Sequence, residues 1–117
     1  MPRYAAKLLF QFRVRTKAGD GKRRLCEERI VNFDARSPSE ALRKAKRLGK
    51  TSELDYDNSD GNRVFFEFVG VSDMIKFTSV TSPAEVWYDI VQRHTPMERR
   101  TRLIPADKSL LSRVSGK

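Results

Sequence analysis

Soft metal ligands and redox-active residues are scarce in this chain, which contains one cysteine, Cys26, and one histidine, His94. A single cysteine excludes an intramolecular disulfide, and one cysteine with one histidine is too few for a structural zinc site. No apolar run approaches the ~20 residues that span a bilayer, and no apolar block follows Met1 as in a signal peptide. These absences predict a cytoplasmic protein that has no cofactor and no metal and does not contact a membrane.

Motifs for catalysis are missing as well. The glycine-containing stretch at residues 19–22 lacks both the spacing and the following helix that a phosphate-binding loop requires. His94 falls at the end of a predicted helix, where a histidine commonly caps the helix and interacts favourably with its dipole. We therefore expect that the protein is not an enzyme and has no catalytic residues.

Charge is abundant and unevenly distributed, with a net charge of +9 over 117 residues. Residues 1–50 carry 15 Lys and Arg against 5 Asp and Glu, whereas residues 51–94 carry 3 against 8. Residues 95–117 are basic again, with 6 against 2. A basic protein associates with nucleic acid or with acidic proteins. The acidic middle argues against a protein that coats nucleic acid uniformly.

The first part of the chain alternates apolar and polar residues with the period of a β-strand. Over residues 4–15 the apolar positions from Tyr4 to Val14 share one face, and the other face is predicted to be wet. A second strand is predicted over residues 25–35. In that strand Glu27 and Arg29 interrupt the apolar face and predict a bulge or an exposed strand end.

Residues 37–49 have the signals of one complete helix. Ser37 and Glu40 form a predicted capping box, and Pro38 occupies the first helical position, where its missing amide costs nothing. Cationic residues crowd the last turns, where the helix dipole favours them. Gly49 is predicted to end the helix in the left-handed conformation.

The acidic middle of the chain predicts a hairpin. Residues 52–57 predict a weak strand, residues 58–62 a turn, and residues 63–71 the strongest strand, with Phe66 and Phe68 as core residues. Gly70 marks a predicted bulge in that strand. Residues 73–78 either extend the strand or form a separate edge strand.

A second capping signal at residues 82–85 predicts a helix over residues 83–94. The order of elements predicts a single α+β domain with an antiparallel sheet of four or five strands in β-β-α-β-β order, plus a C-terminal helix. Residues 1–94 form the predicted compact domain. Residues 95–117 are predicted to be a basic, flexible tail, in which a few apolar residues allow a short helix, and truncation after Pro96 is expected to leave the melting transition unchanged.

One candidate binding surface is a basic stripe on the first helix. Its four cations recur at the spacing of one helix face, which suits contact with a phosphate backbone or a protein partner: Arg43, Lys46, Arg47 and Lys50. Arg13 and Arg15, on the wet face of the first strand, are predicted to extend it. The alternative interpretation is a solvated helix face. No exposed aromatic set is evident for stacking bases.

A second candidate surface is an acidic patch in and after the weak strand, formed by Glu53, Asp55, Asp57 and Asp60. Alternation places Glu53, Asp55 and Asp57 on one face, where three carboxylates could hold a hard cation. The preferred interpretation is an edge strand whose charges prevent edge-to-edge pairing.

Three segments together resemble a bacterial family known as domain of unknown function 4288. They are residues 4–10 (YAAKLLF); residues 35–42 (ARSPSEAL) with Ala45 and Leu48-Gly49-Lys50; and Tyr56, Asn58 and Gly61 followed by residues 68–73 (FVGVSD). The resemblance covers about residues 3–77. It implies a compact α+β domain and supplies no activity.

Three functions are compatible with these features. The first is a small, non-catalytic, cytoplasmic binding protein that acts on an unknown protein partner, as a bacterial accessory or regulatory factor. The second is a nucleic-acid-binding module that uses the basic helix and tail. The third is an inhibitor or immunity-type protein that occupies a toxin or enzyme through its acidic segment, 53–60. The sequence leaves open whether the protein is a monomer or a homodimer.

Overall fold

A five-stranded antiparallel sheet carries two helices that share its hydrophobic core. The computed structural model describes residues 1–17, 19, 23–77, 92–96 and 104–114. The elements are β1 (Arg3–Arg15), β2 (Arg23–Asp34), α1 (Pro38–Thr51), β3 (Leu54–Asp57), β4 (Arg63–Lys76), β5 (Gln92–Pro96) and α2 (Asp107–Val114). The strand order in the sheet is β3-β4-β1-β2-β5. The predicted α+β class, antiparallel sheet and β-β-α-β-β start are confirmed. A C-terminal helix is present as well, although α2 covers residues 107–114 and not the predicted range.

Strand β1 lies at the centre of the sheet and supplies much of the core. Tyr4, Leu8 and Phe10 are buried on the face that α1 and α2 cover. Ala5 and Leu9, on the opposite face, are buried as well. The expected wet face is therefore wrong for the first half of β1 and correct only towards its end, where Arg13 is half-buried and Arg15 is exposed.

The start of α1 follows the predicted capping chemistry. The hydroxyl of Ser37 accepts a hydrogen bond from the Glu40 amide at 3.2 Å, and Pro38 begins the helix. The Glu40 carboxylate reaches back one residue further than predicted and accepts from the Arg36 amide at 2.8 Å. This backbone hydrogen bond lowers the pKa of Glu40 below its usual value.

Gly49 does not end α1. The helix continues to Thr51, and Ser52 caps it in a right-handed conformation. Gly49 is buried against β4, and an added Cβ would overlap the ring of Phe68. The glycine therefore provides close approach between helix and sheet, and the predicted left-handed cap is wrong.

We expect Gly49→Ala to destabilise the protein by about 1–3 kcal/mol, the usual effect of overpacking. On helix propensity alone the same change would stabilise by about 1 kcal/mol. Chemical denaturation of both Gly49→Ala and the Gly49→Ala/Phe68→Val pair checks this, because a smaller side chain at position 68 should remove most of the loss. A stabilised Gly49→Ala protein would contradict the close packing.

Strand β4 is a single strand with two irregularities in its pairing with β1. The register shifts beside Gly70 and again near Ser72. The bulge predicted at Gly70 is thus confirmed, and residues 73–76 extend the strand. Phe66 is buried and stacks on Phe10, with ring centroids 4.6 Å apart.

Neither a bulge nor a strand end occurs in β2 at Glu27 and Arg29, where the sequence predicted one or the other. The pairing with β1 is regular from Arg3 opposite Asp34 to Phe12 opposite Leu25. Arg29 is tolerated on the apolar face because its guanidinium lies over the ring of Phe66 at 4.7 Å and forms an ion pair with Glu27.

The C-terminal part of the chain differs from its prediction in two ways. Gln92–Pro96 is the strand β5, paired with β2, so the predicted helix is wrong for its last residues, which include His94. The start of that helix, with its capping signal at 82–85, lies outside the described residues. Leu110 and Val114 of α2 belong to the core. The expectation that the tail adds nothing to the core is therefore wrong for residues 107–114.

Candidate functional site

The basic stripe of α1 is divided between paired and unpaired cations. Lys46 forms an ion pair with Asp107 of α2 at 2.8 Å, and Lys50 pairs with Glu53 at 3.3 Å. Arg43 and Arg47 are exposed, and within the described part of the chain neither has a carboxylate partner. Only half of the predicted stripe is therefore available to a ligand without breaking an ion pair.

Arg13 and Arg15 do not extend that stripe. Side chains alternate along β1, so both arginines lie on the face of the sheet opposite Phe10 and α1. The Glu67 carboxylate accepts two hydrogen bonds from Arg13, at 2.8 and 3.0 Å. Arg15 lies over the ring of Phe65, 4.9 Å from its centroid. The prediction of one continuous basic surface is wrong because the sheet separates its two parts.

A cleft of about 370 Å³ lies between α1, β4 and the segment before α2. Its floor is apolar and includes Phe68 and Ile104, while Lys46, Lys50 and Asp107 lie at its polar rim. The two lysines are paired with Asp107 and Glu53, so the charges at the rim largely compensate one another. Among the described residues, the charges at this cleft therefore offer little to select a charged ligand.

Carboxylates of the acidic patch likewise form ion pairs and hydrogen bonds with neighbouring residues. One guanidinium, that of Arg63, binds both Asp55 at 2.7 Å and Asp57 at 3.2 Å, and these bonds raise the pKa of Arg63. Glu53 accepts a hydrogen bond from the Phe68 amide at 2.9 Å. Asp60 lies in the turn that follows β3. Among the described residues, no group of three His, Cys, Asp or Glu side chains is arranged to hold a metal ion.

Strand β3 lies at one edge of the sheet, as its charges predicted. The hairpin that joins it to β4 determines which of its backbone groups face outward. The Asn58 amide donates to the Asn62 carbonyl at 2.9 Å, so Asn58 and Asn62 form a hydrogen-bonded pair. Such pairs alternate along an antiparallel ladder. Leu54 and Tyr56 therefore bond to β4. The N–H and C=O groups of Asp55 and Asp57 point away from the sheet.

The turn that produces this arrangement is local. The Asn58 side-chain oxygen accepts from the Asp60 amide at 2.9 Å and from the Asn62 amide at 3.0 Å. Gly61 has a φ of 80°, which a glycine adopts without strain. The predicted turn over residues 58–62 is confirmed, and it sets the phase of the β3–β4 pairing.

Two large apolar side chains stand exposed on β3. Leu54 is 56% exposed and Tyr56 is 42% exposed. Their cross-strand partners are Phe66 and Val64, so both lie on the α1 side of the sheet while the aspartates lie on the Arg63 side. A depression of about 280 Å³ adjoins Leu54 and is lined by Asp55, Phe65 and Phe66, among others. The edge of β3 combines open backbone groups, apolar side chains and carboxylates.

Comparison with known proteins identifies the family. The family model described as domain of unknown function 4288 matches residues 3–88. The chain belongs to this family. The match extends further along this DUF4288 chain than the sequence analysis expected, since it passes residue 77 and includes residues outside the described part.

No curated protein and no solved structure matches this DUF4288 chain significantly. None of the described helices is long and apolar enough to cross a membrane.

Leu54 and Tyr56 are surface residues that were not predicted from the sequence. Their alternation with Asp55 and Asp57 was a signal for a strand with one apolar and one acidic face. Nothing local distinguishes an apolar face that a helix covers from one that stays open. Only the position of β3 at the edge, beyond the cover of α1, leaves these two side chains exposed.

Proposed function

We propose that this DUF4288 protein is a small, non-catalytic interaction protein that binds another protein at the edge of β3. The observation that carries the proposal is the exposure of Leu54 and Tyr56 beside the outward backbone groups of Asp55 and Asp57. Exposed apolar side chains grouped at one site are typical of protein contacts. A cytoplasmic location and an accessory or regulatory role belong to the same proposal.

The test is to recover a partner from the native host, purify it, and measure its affinity for wild type and for Leu54→Ser/Tyr56→Ser. We expect affinity to fall at least about tenfold, since apolar anchors near the centre of a contact commonly contribute more than 1 kcal/mol each. Leu48→Ser is the matched control, because Leu48 is a 39% exposed leucine on α1. Equal losses for control and double variant, or no loss for either, would contradict the site.

An inhibitor or immunity role through residues 53–60 is a special case of this proposal. It requires that the partner be an enzyme or toxin. The activity of that enzyme or toxin should then fall when the wild-type protein is added. It should not fall when the Leu54→Ser/Tyr56→Ser variant is added instead.

Nucleic-acid binding is a second candidate, favoured by Arg43 and Arg47, which are exposed and form no ion pair with the described residues. Anisotropy with a duplex at physiological salt tests it. A true binder should show a Kd of about 10⁻⁴ M or tighter, a steep dependence on salt, and loss of binding with Arg43→Glu/Arg47→Glu. The Arg15→Glu/Lys17→Glu pair changes the net charge equally, away from α1. Equal losses with both pairs would indicate only a non-specific charge effect.

A further inference from the structure

We propose that the partner binds by adding an extended strand to β3, and that this strand alternates basic with apolar residues. The inference rests on the proposed function and specifies its mode and its partner class. Strand addition uses main-chain hydrogen bonds for affinity and alternate side chains for specificity. Both components have a counterpart at this edge.

The backbone component comes from Asp55 and Asp57. Each offers one N–H donor and one C=O acceptor on the outer side, because Leu54 and Tyr56 occupy the hydrogen-bonded positions facing β4. All four residues of β3 are exposed, so no described part of the chain covers this edge. An added strand would satisfy the outward groups in the geometry of an ordinary ladder.

The side-chain component defines the partner. Residues paired with Asp55 and Asp57 would lie on their face, where two carboxylates share the guanidinium of Arg63. That excess of negative charge favours Lys or Arg. Residues next to Leu54 and Tyr56 would lie on the α1 side, where these two exposed side chains favour apolar neighbours.

The same pattern disfavours pairing with a second copy. Within β3, the outward backbone groups belong to Asp55 and Asp57, so pairing of two β3 strands would place aspartates opposite aspartates. Like charges directly across a ladder are destabilising. The carboxylates therefore protect the edge from self-association and at the same time select a basic strand.

The probe is a short synthetic peptide in which lysine alternates with valine, titrated into the full-length protein and followed by amide chemical shifts. We expect binding at or below roughly millimolar concentration, with the largest shifts at the amides of Asp55 and Asp57. A peptide with glutamate in place of lysine should not bind. Binding of both peptides, the largest shifts near Arg43 and Arg47, or no binding of the lysine peptide up to about 1 mM would each overturn the proposal.

Two variants isolate the backbone contribution. Asp55→Thr and Asp55→Pro both remove the carboxylate that binds Arg63, but only proline removes the outward amide, which β4 does not use. We expect Asp55→Pro to bind the lysine peptide at least about tenfold more weakly than Asp55→Thr, because the outward amide of residue 55 can no longer donate a hydrogen bond to the peptide. If Asp55→Pro does not fold, a lysine peptide N-methylated at alternate amides supplies the same comparison on the wild-type protein.

The outcomes separate this inference from the proposed function. Equal peptide affinities for Asp55→Pro and Asp55→Thr would show that strand addition is wrong, and the purified partner would still respond to Leu54→Ser/Tyr56→Ser if the proposed function holds. If the partner binds the double variant as tightly as it binds wild type, the proposed function itself is wrong. A wild-type dimer in sedimentation that Asp55→Pro dissociates would instead identify a second copy as the occupant and overturn the basic-strand proposal.

Discussion

Phe66→Ala should lower the free energy of unfolding by about 3–5 kcal/mol, a large part of the stability of an ordinary small domain. Phe66 is 3% exposed, and its ring contacts those of Phe10 and Phe12 at centroid distances of 4.6 and 4.9 Å. Truncation would remove buried apolar area and leave a cavity between β1 and β4. Chemical denaturation followed by circular dichroism measures the loss.

The neighbouring change Phe65→Ala is the control for this prediction. Phe65 lies on the opposite face, half-buried under the guanidinium of Arg13 at 4.3 Å. The same deletion of a ring should therefore cost clearly less at position 65 than at position 66. Equal losses at the two positions would contradict the assignment of the two faces of β4.

Leu110→Ala should cost about 2–5 kcal/mol, because Leu110 is 1% exposed and belongs to the core cluster. Removal of residues 104–117 should lower the melting temperature for the same reason. This reverses the outcome expected from the sequence, which treated the tail as dispensable. Thermal and chemical denaturation of the variant and of the truncated chain measure both effects.

Leu111→Ala provides a matched comparison on the same helix. Leu111 packs against the core but remains partly exposed, so its truncation should cost less than that of Leu110. Lys108→Ala, at an exposed position, should change stability by no more than about 0.5 kcal/mol. A Leu110→Ala protein as stable as Lys108→Ala would show that α2 does not dock on the core in solution.

The two errors at the C-terminal end share a cause. Residues 107–114 carry an amphipathic pattern too short to stand out, since a helix of two turns gains little from propensity and depends on packing. Residues 92–96 follow a helix-like pattern, yet they pair with β2. Tertiary pairing outweighed local preference at residues 92–96, whereas at residues 107–114 tertiary packing placed a short helix in the core.

The candidate site divides along similar lines. The charges at Asp55 and Asp57 predicted an edge strand that resists edge-to-edge pairing, and β3 lies at an edge of the sheet. The proximity of Arg13 to Glu67, at 2.8 Å, joins residues from two strands far apart in the sequence, and no local signal indicates it. For this reason the sequence placed Arg13 in a basic patch that the fold does not form.

The sequence by itself determined the features that depend on a few neighbouring residues. Ser37 and Glu40 start α1, and Asn58 and Gly61 form the turn after β3, because these residues act on the backbone next to them. The alternation of residues in β1 specifies its apolar face. Tertiary structure alone decided which faces are covered. Long-range packing sets the strand order and the placement of the helices. Three features follow from it: the close contact that requires a glycine at position 49, the separation of Arg15 from α1, and the exposure of Leu54.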